Sequence, residues 1–332
     1  MTRVGVLGAG SWGTTLADLL ARQGHDVTIW AHEAEVVHQI NREHANNVFL
    51  PTCALAPALK ASEDLLAVAG AAELILSAAP SHAVRSVLSR VGPAIRPGVV
   101  VVSATKGIET DTLKRMSEVT AELVPQARYV ALSGPSFAIE VYQRQPTAVV
   151  AASAAPDAAA QAQQIFSCGH FRVYSHHDVL GVELAGAMKN VMAIAAGILE
   201  GLGLGHNPRA ALITRGLAEM SRLGVGLGAD LRTFAGLAGM GDLVLTATGQ
   251  LSRNRALGVA IGQGERLSDY AVRHRTVAEG VNTTRAALRL AAGAGVEMPI
   301  TAKVAEVLFE GKSPRQGVGE LMERALKSEQ WA

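Results

Sequence analysis

Residues 4–17, which read Val-Gly-Val-Leu-Gly-Ala-Gly-Ser-Trp-Gly-Thr-Thr-Leu-Ala, decide the fold of the first half of this chain. Gly8, Gly10 and Gly13 form a G-x-G-x-x-G pattern that follows an apolar run and precedes a helix-like run. A strand that turns into a helix at such glycines presents free backbone N–H groups to a pyrophosphate. The alternative is a glycine-rich turn in another kind of α/β domain. The position between strand and helix favours a dinucleotide site.

The composition limits the class of protein. A chain of 332 residues is long enough for two domains of ordinary size. Hydrophobic residues make up 49% and charged residues 18%, which predicts a large core and argues against disorder. The formal net charge of +1, without a long run of one sign, argues against a nucleic-acid groove. Cys53 and Cys168 are too few for a disulfide framework, so a reducing compartment is expected.

Two further features bear on location. No basic segment followed by an apolar one precedes the predicted first strand, so no signal peptide is expected. The most apolar stretch, Val191–Leu199, lies between Lys189 and Glu200 and is too short to cross a bilayer. The sequence therefore predicts a cytoplasmic protein without an integral membrane segment.

The first half alternates strand-like and helix-like runs, which predicts an α/β fold with a doubly wound sheet of the Rossmann type. Several strand-like runs are almost continuously apolar, as is typical of parallel strands covered on both faces. The predicted strands are Arg3–Leu7, Asp26–Trp30, Leu74–Ala78, Val99–Ser103, Tyr129–Leu132, Ala148–Ala152 and Phe171–Tyr174. The predicted helices between them include Thr14–Gln23, Ala34–His44, Leu113–Leu123 and Asp157–Phe166.

From about His176 strand signals nearly vanish, and long patterns rich in Ala, Leu, Met and Gly predict an all-helical second domain. Its predicted helices are Asp178–Leu202, Pro208–Leu223, Arg253–Ile261, Asn282–Ala292 and Thr301–Phe309. We place the boundary near Gly181. Residues 1–180 then form a dinucleotide-binding domain, and residues 181–332 form a helical substrate and catalytic domain.

The end of the second predicted strand bears on the choice of cofactor. In dinucleotide folds an acidic residue at this point bonds the ribose 2′-hydroxyl. Here Trp30 is followed by Ala31 and His32, and no carboxylate stands at the strand tip. A histidine does not repel a 2′-phosphate, so NADP is allowed and NAD is not excluded. The alternative for His32 is an ordinary histidine of a surface loop.

Other polar groups follow strands at the edge where open α/β sheets bind ligands. They are Pro80-Ser81-His82, Lys106 and Gly134-Pro135-Ser136. A lysine at a strand tip is often only solvated. Beside a phosphorylated ligand it supplies a positive point charge.

Lys189 is the unusual residue of the second half, because its neighbours one helical turn away are Ala185, Gly186, Met192 and Ala193. A lysine in apolar company either extends its ammonium to solvent or sits in a partly dry cleft. In a dry cleft a lysine exchanges a proton more readily near neutral pH.

Residues 239–255 form a second polar cluster. Asp242 and Thr246 are four residues apart and share a face if the segment is helical. Ser252 is a candidate N-cap that leaves Arg253 and Asn254 in the first turn of the next helix. Such a terminus suits a phosphate. The alternative is a capped surface helix with solvated arginines.

Together these motifs resemble those of bacterial NAD(P)-dependent sn-glycerol-3-phosphate dehydrogenases, over essentially the whole chain. Each motif alone is unspecific, whereas their number, order and spacing are specific. They are Gly8–Gly13, Pro80-Ser81-His82, Ala104-Thr105-Lys106-Gly107, Ser133-Gly134-Pro135-Ser136-Phe137-Ala138, Lys189-Asn190-Val191, Gly241-Asp242-Leu243 and Ser252-Arg253-Asn254.

The resemblance implies reversible hydride transfer between NAD(P)H and dihydroxyacetone phosphate, giving sn-glycerol 3-phosphate for phospholipid synthesis. It implies that Lys189 is the catalytic general acid/base. The implied substrate-binding residues are Lys106, Gly134, Ser136, Lys189, Asn190, Asp242, Thr246, Ser252, Arg253 and Asn254. The implied residues for NAD or NADP are Gly8, Gly10, Ser11, Trp12, Gly13, His32, Lys106, Ala138, Arg253, Val277 and Glu279. The resemblance also implies a homodimer. No metal is required, and the ten histidines contain no H-E-x-x-H.

Two other functions compete with this one. A β-hydroxyacid dehydrogenase of the 6-phosphogluconate type shares the architecture and a lysine–asparagine pair on a long helix. The cluster Ser252-Arg253-Asn254 and the strand-tip Lys106 favour the glycerol-phosphate enzyme. A redox-sensing regulator that binds NAD(H) without turnover usually carries a basic DNA-binding module, and the sequence shows none.

Overall fold

The computed structural model describes residues 1–274, 278–326 and 328–329. Ten strands lie within this part of the chain. They are β1 (Arg3–Leu7), β2 (Asp26–Trp30), β3 (Ala45–Asn46), β4 (Leu50–Ala54), β5 (Lys60–Ser62), β6 (Leu74–Ser77), β7 (Val100–Ser103), β8 (Arg128–Ser133), β9 (Thr147–Ala152) and β10 (Phe171–His176).

Sixteen α-helices lie in the described residues. They are α1 (Ser11–Arg22), α2 (Ala34–His38), α3 (Leu65–Ala71), α4 (Ser81–Val91), α5 (Met116–Leu123), α6 (Ala138–Tyr142), α7 (Pro156–Phe166), α8 (Val179–Gly201), α9 (His206–Gly226), α10 (Leu231–Ala235), α11 (Asp242–Thr248), α12 (Arg253–Gly262), α13 (Leu267–Arg273), α14 (Glu279–Ala294), α15 (Pro299–Phe309) and α16 (Pro314–Met322). Shorter turns are π-helical at Gln39–Glu43 and Leu237–Gly241, and 3₁₀ at Gly92–Ala94.

Eight strands form one sheet in the order β10-β9-β8-β7-β6-β1-β2-β5. The central strands are buried along their length, which explains their almost uninterrupted apolar sequences. All neighbours run parallel except β8 and β9, where Ser133 pairs with Val150 in antiparallel register. The connection from β8 to β9 begins and ends at the same end of the strands, so β9 runs back in the opposite direction to β8. The predicted doubly wound sheet is confirmed.

The structure divides into two compact units. The first contains residues 1–106 and 114–179, and the second contains residues 107–113 and 180–332. The short segment Gly107–Leu113 belongs with the helices because Ile108 is buried in their apolar core. The Arg289 guanidinium also donates to the Thr110 carbonyl at 2.6 Å. The boundary predicted near Gly181 instead assigns this segment to the first domain, residues 1–180.

Every predicted strand has a counterpart, but several short elements have no sequence prediction. The helix predicted over Ala34–His44 is α-helical only to His38 and continues as a π-helical turn. The pair β3–β4, which makes a small antiparallel sheet, has no alternating apolar pattern and was not predicted.

The helix predicted over Asp178–Leu202 is present as the 23-residue α8, Val179–Gly201. By length and composition alone this helix could cross a membrane. However, 94% of its most apolar window is buried inside the protein, as in the central helix of a globular core.

Candidate functional site

The glycine-rich loop joins β1 to α1 as predicted. Gly8 has φ +116°, and a Cβ there would lie 2.9 Å from the Ala79 nitrogen. A Cβ on Gly13 would lie 2.1 Å from the Gly8 carbonyl oxygen, so this position requires close approach of helix and loop. Gly10, by contrast, faces open space, with no atom within 4 Å of a Cβ built there. Backbone atoms therefore pack closely against Gly8 and Gly13, whereas the space beside Gly10 is unoccupied by protein atoms.

The open glycine is also the N-cap of α1. It has no side chain to accept a hydrogen bond, so the first N–H groups of α1 have no side-chain cap. Such a helix end attracts negative charge, which is the chemistry that a dinucleotide pyrophosphate requires. The residues present thus fit an NAD(P) cofactor.

Two predicted cofactor residues follow in the first turn of α1. The Ser11 hydroxyl donates to the Phe49 carbonyl, so this side chain is engaged within the protein and the Ser11 backbone N–H is the group left for a ligand. The Trp12 ring lies 6.4 Å from the Phe171 ring in a tilted arrangement. Trp12 is therefore partly held by packing against the core of the first unit.

The tip of β2 carries no carboxylate. His32 is exposed, and its ring lies 6.4 Å from that of Trp30. Glu33 is an exposed N-cap of α2. No acidic side chain occupies the strand tip itself, so the chain lacks the group that usually selects NAD over NADP there.

Three predicted site residues meet at the ends of β7 and β8. The Lys106 ammonium donates to the Gly134 carbonyl at 3.0 Å, and the Ser136 hydroxyl donates to the same oxygen at 3.0 Å. Gly134 has φ +142°, and a Cβ there would lie 2.9 Å from Val149 Cα, so only glycine fits. Ala138 begins α6 nearby in the sequence, and its carbonyl accepts a hydrogen bond from Thr15.

Lys189 lies on α8 and is buried, with 8% of its surface exposed. Its ammonium lies 2.9 Å from an Asp242 carboxylate oxygen and donates to the Thr246 hydroxyl at 2.7 Å. The Thr246 hydroxyl in turn donates to Asp242 at 3.1 Å. Asp242 and Thr246 share one face of α11, as predicted. The sequence showed only apolar neighbours for Lys189 because its polar partners come from another helix.

The predicted cap of α12 is confirmed. The Ser252 hydroxyl accepts a hydrogen bond from the Arg255 backbone N–H at 3.2 Å. Arg253 occupies the first position of the helix and is exposed. Within the described residues its guanidinium makes no hydrogen bond or ion pair. The end of this helix therefore presents a free cation beside backbone N–H groups, which is the chemistry of a phosphate site.

Asn254 has a different environment from Arg253. It is buried, donates to the Asn190 side-chain oxygen at 2.9 Å and accepts from the Gly280 backbone N–H at 3.0 Å. It thereby connects α12 with α8, which carries Lys189, and with the start of α14, where Glu279 lies. The predicted cofactor residue Val277 lies outside the described residues.

The sequence analysis missed two features that hold these residues in place. The Arg255 guanidinium forms an ion pair with Glu200 at 2.5 Å, which ties α12 to the end of α8. Asn46 is fully buried beside the glycine-rich loop. Neither contact is predictable from local sequence patterns, since Arg255 and Asn46 each bond to a residue distant along the chain. In the described residues, no group of three or more His, Cys, Asp or Glu side chains is arranged around a metal site.

Comparison with known proteins agrees with this geometry. A family model for the N-terminus of NAD-dependent glycerol-3-phosphate dehydrogenase matches residues 3–159, and the model for its C-terminus matches residues 178–319. A relative from Geobacter sulfurreducens named glycerol-3-phosphate dehydrogenase (NAD(P)+) is 58% identical over 99% of both chains. One from Koribacter versatilis with the same name is 50% identical over the full length of both.

Solved structures give the same result. The chain superposes on glycerol-3-phosphate dehydrogenase from Coxiella burnetii with a TM-score of 0.93 and 41% identity, covering 97% of this chain and 99% of that one. A 3-hydroxyisobutyrate dehydrogenase from Salmonella typhimurium, covering 92% of both chains, has a TM-score of 0.52 and 19% identity, which shows a shared fold alone. The chain therefore belongs to the NAD-dependent glycerol-3-phosphate dehydrogenase family.

Proposed function

We propose that the chain catalyses reversible reduction of dihydroxyacetone phosphate to sn-glycerol 3-phosphate with NADH or NADPH. The observation that carries this proposal is the buried ammonium of Lys189, fixed by Asp242 and Thr246. A carbonyl that accepts a hydride builds negative charge on its oxygen, and a positioned ammonium neutralises that charge.

The proposed chemistry balances one hydride with one proton. A reduced nicotinamide held at the glycine-rich loop would supply the hydride to the carbonyl carbon of the substrate. Lys189 Nζ gives a proton to the carbonyl oxygen, which becomes the secondary hydroxyl. In the reverse direction the same nitrogen accepts that proton. Asp242 positions the ammonium and stabilises its charge, and Thr246 fixes the orientation of both groups.

Recognition of the substrate phosphate is assigned to the first turn of α12. Arg253 supplies a free guanidinium, and Ser252 and Asn254 complete the turn. The phosphate does not take part in the reaction, so its binding can orient the carbonyl for hydride transfer. Lys106, Gly134, Ser136 and Asn190 are assigned to the remaining substrate contacts.

The cofactor is assigned to the glycine-rich loop and the residues that the family resemblance implies. These residues are Gly8, Gly10, Ser11, Trp12, Gly13, His32, Lys106, Ala138, Arg253 and Glu279. The uncapped end of α1 and the strand tip without a carboxylate support binding of either NAD or NADP.

Steady-state assays with two substrate classes test the proposal. We expect oxidation of NADH and of NADPH that depends on dihydroxyacetone phosphate, and reduction of the oxidised cofactors by glycerol 3-phosphate. Oxidation of a 3-hydroxy acid without any activity on glycerol 3-phosphate would instead identify a β-hydroxyacid dehydrogenase. Binding of the cofactor without any turnover would support a sensor.

We further infer that the protein acts in the cytoplasm as a homodimer and supplies glycerol 3-phosphate for phospholipid synthesis. The family resemblance supports the dimer, and the presence of only two cysteines supports a reducing compartment. Sedimentation of the purified chain tests the dimer, and a monomer at assay concentrations contradicts it.

A further inference from the structure

Asn46 makes an unusual set of contacts for a residue outside the glycine-rich motif. It is fully buried at the end of β3, and its side-chain nitrogen donates to the Ala9 carbonyl at 2.9 Å and to the Thr14 hydroxyl at 2.8 Å. Its side-chain oxygen accepts from the Phe49 backbone N–H at 3.2 Å. One carboxamide therefore joins the β3–β4 hairpin, the glycine-rich loop and α1.

The Ala9 carbonyl is the acceptor that matters most. It also receives the Thr14 hydroxyl at 3.0 Å, so two buried donors fix its direction. Ala9 lies between Gly8 and Gly10, and glycines permit many backbone directions. Without these two donors, the carbonyl has no side-chain partner to select one orientation of the loop.

The direction of the Ala9 C=O determines the direction of the Gly10 N–H. In a planar trans peptide the C=O of one residue and the N–H of the next point in opposite directions. Fixing the Ala9 carbonyl toward Asn46 therefore turns the Gly10 N–H away from the hairpin. Within the described residues that N–H makes no hydrogen bond, and Gly10 faces open space.

We propose that Asn46 is a positioning residue for the cofactor, which holds the Ala9–Gly10 peptide so that the Gly10 N–H and the end of α1 face the pyrophosphate of NAD(P)H. The proposal rests on the proposed function and extends it to a residue that touches neither substrate nor reacting atoms. The hairpin acts on the loop a second time, since the Ser11 hydroxyl donates to the Phe49 carbonyl.

Binding of NADPH and NADH without substrate, measured by fluorescence titration, tests the proposal. We expect Asn46→Ala to raise the cofactor Kd about tenfold or more, which corresponds to about 1.4 kcal/mol. At saturating cofactor, kcat and the KM for dihydroxyacetone phosphate should stay within about twofold, since the effect is confined to cofactor binding.

Asn41→Ala is the control for loss of side-chain hydrogen bonds elsewhere in the first unit, at an exposed position. Asn41 also makes two side-chain hydrogen bonds in the first unit, to the N–H and the carbonyl of Ala61, at 2.8 and 2.9 Å. It does not contact the glycine-rich loop. We expect the control to lower the melting temperature without changing the cofactor Kd. Equal changes in Kd for both variants would overturn the proposal, because Asn46 would then act only through stability.

Thr14→Val keeps the proposal testable if Asn46→Ala does not fold. It is almost isosteric and removes the other donor to Ala9. The control is Thr120→Val, which removes a buried hydroxyl bonded to the Met116 carbonyl within α5. We expect only Thr14→Val to weaken cofactor binding, and an unchanged Kd would overturn the proposal. If the unaltered chain binds neither cofactor, the proposed function itself fails.

Discussion

At the scale of single residues, the ion pair of Lys189 and Asp242 is buried in the helical unit. Removing both charges from water opposes folding, and their attraction and hydrogen bonds offset that cost only while both partners are present. The Asp242 side chain is 1% exposed, so solvent does not replace a missing lysine. A buried ion pair is therefore weak evidence for a contribution to stability.

Changing the pair one residue at a time should separate stability from catalysis. We expect Lys189→Met to lower the free energy of unfolding by about 3–5 kcal/mol, because it removes the ion-pair partner of the buried Asp242 carboxylate. The double variant Lys189→Met/Asp242→Asn should recover most of this stability. Chemical denaturation measures both, and a double variant no more stable than the single one would contradict the ion-pair account.

Arg253 should show the opposite pattern, because it is exposed and has no partner in the described residues. We expect Arg253→Ala to change the free energy of unfolding by less than about 0.5 kcal/mol. The KM for dihydroxyacetone phosphate should rise roughly 10–100-fold, the value of a lost charge-assisted hydrogen bond.

Dihydroxyacetone without its phosphate is the control substrate for this variant. If Arg253 holds the phosphate, turnover of the unphosphorylated compound at saturating cofactor should be equal in the variant and the unaltered chain. An equal loss with both substrates at saturating cofactor would contradict the assignment of Arg253 to the phosphate.

At the scale of elements, the proposed catalytic residue Lys189 and the proposed phosphate-binding residue Arg253 lie on two helices, α8 and α12, that cross closely. A Cβ on Gly197 would lie 2.1 Å from the Arg255 carbonyl, and one on Gly258 would lie 2.1 Å from the Ile194 carbonyl. The two backbones therefore touch directly. Since α8 carries Lys189 and α12 begins with Arg253, this crossing sets the position of the ammonium relative to the proposed phosphate-binding turn.

Gly258→Ala should force the two helices apart. We expect it to cost about 1–3 kcal/mol of stability, as overpacking of a core does, and to reduce kcat/KM even where the protein stays folded. Gly293→Ala is the matched control, because Gly293 lies in α14 with no atom within 4 Å of a Cβ. It should gain about 0.5–1 kcal/mol through helix propensity. Equal effects of the two substitutions on stability would contradict the crossing.

The last two helices give a prediction for acid. Hydrogen bonds from Lys303, which contributes most, and from Lys312 lower the pKa of Glu320 to about 2. The Lys303 pair joins α15 to α16, and the Lys312 pair joins the segment between these helices to α16. A carboxyl group whose pKa is lower in the folded state stabilises that state at pH values above its unfolded pKa. This contribution is lost as the pH falls toward 2. Glu320→Gln should therefore lower the melting temperature at pH 7. The difference should shrink from about pH 5 downward, and a constant difference would contradict the assignment.

Several elements were predictable from the sequence, and the others show what sequence patterns lack. The apolar run Val100–Ser103 and the cap at Ser252 follow local rules, and both were predicted correctly. The partners of Lys189 come from α11, more than fifty residues away, so no pattern around Lys189 reveals them. Asn46 lies in a two-residue strand that has no periodicity, and only the fold brings it to the glycine-rich loop.

At the scale of the whole molecule, each compact unit has its own apolar core and contains a different part of the proposed site. The first contains the glycine-rich loop and the strand-tip Lys106, and the second contains the Lys189 ion pair and the turn at Arg253. Ligand binding to the folded state raises stability according to its concentration relative to Kd. NADPH alone should therefore raise the melting temperature, and a concentration-independent value would contradict cofactor binding.

The most direct test of the account is the rate of NADPH oxidation by dihydroxyacetone phosphate, compared between the unaltered chain and Lys189→Met at saturating substrate and cofactor. We predict turnover by the unaltered chain. The variant should be about 10²–10⁴-fold slower, the contribution of a general acid, with its Kd for NADPH unchanged. No turnover by the unaltered chain, or near-normal turnover by a folded variant, would contradict the account.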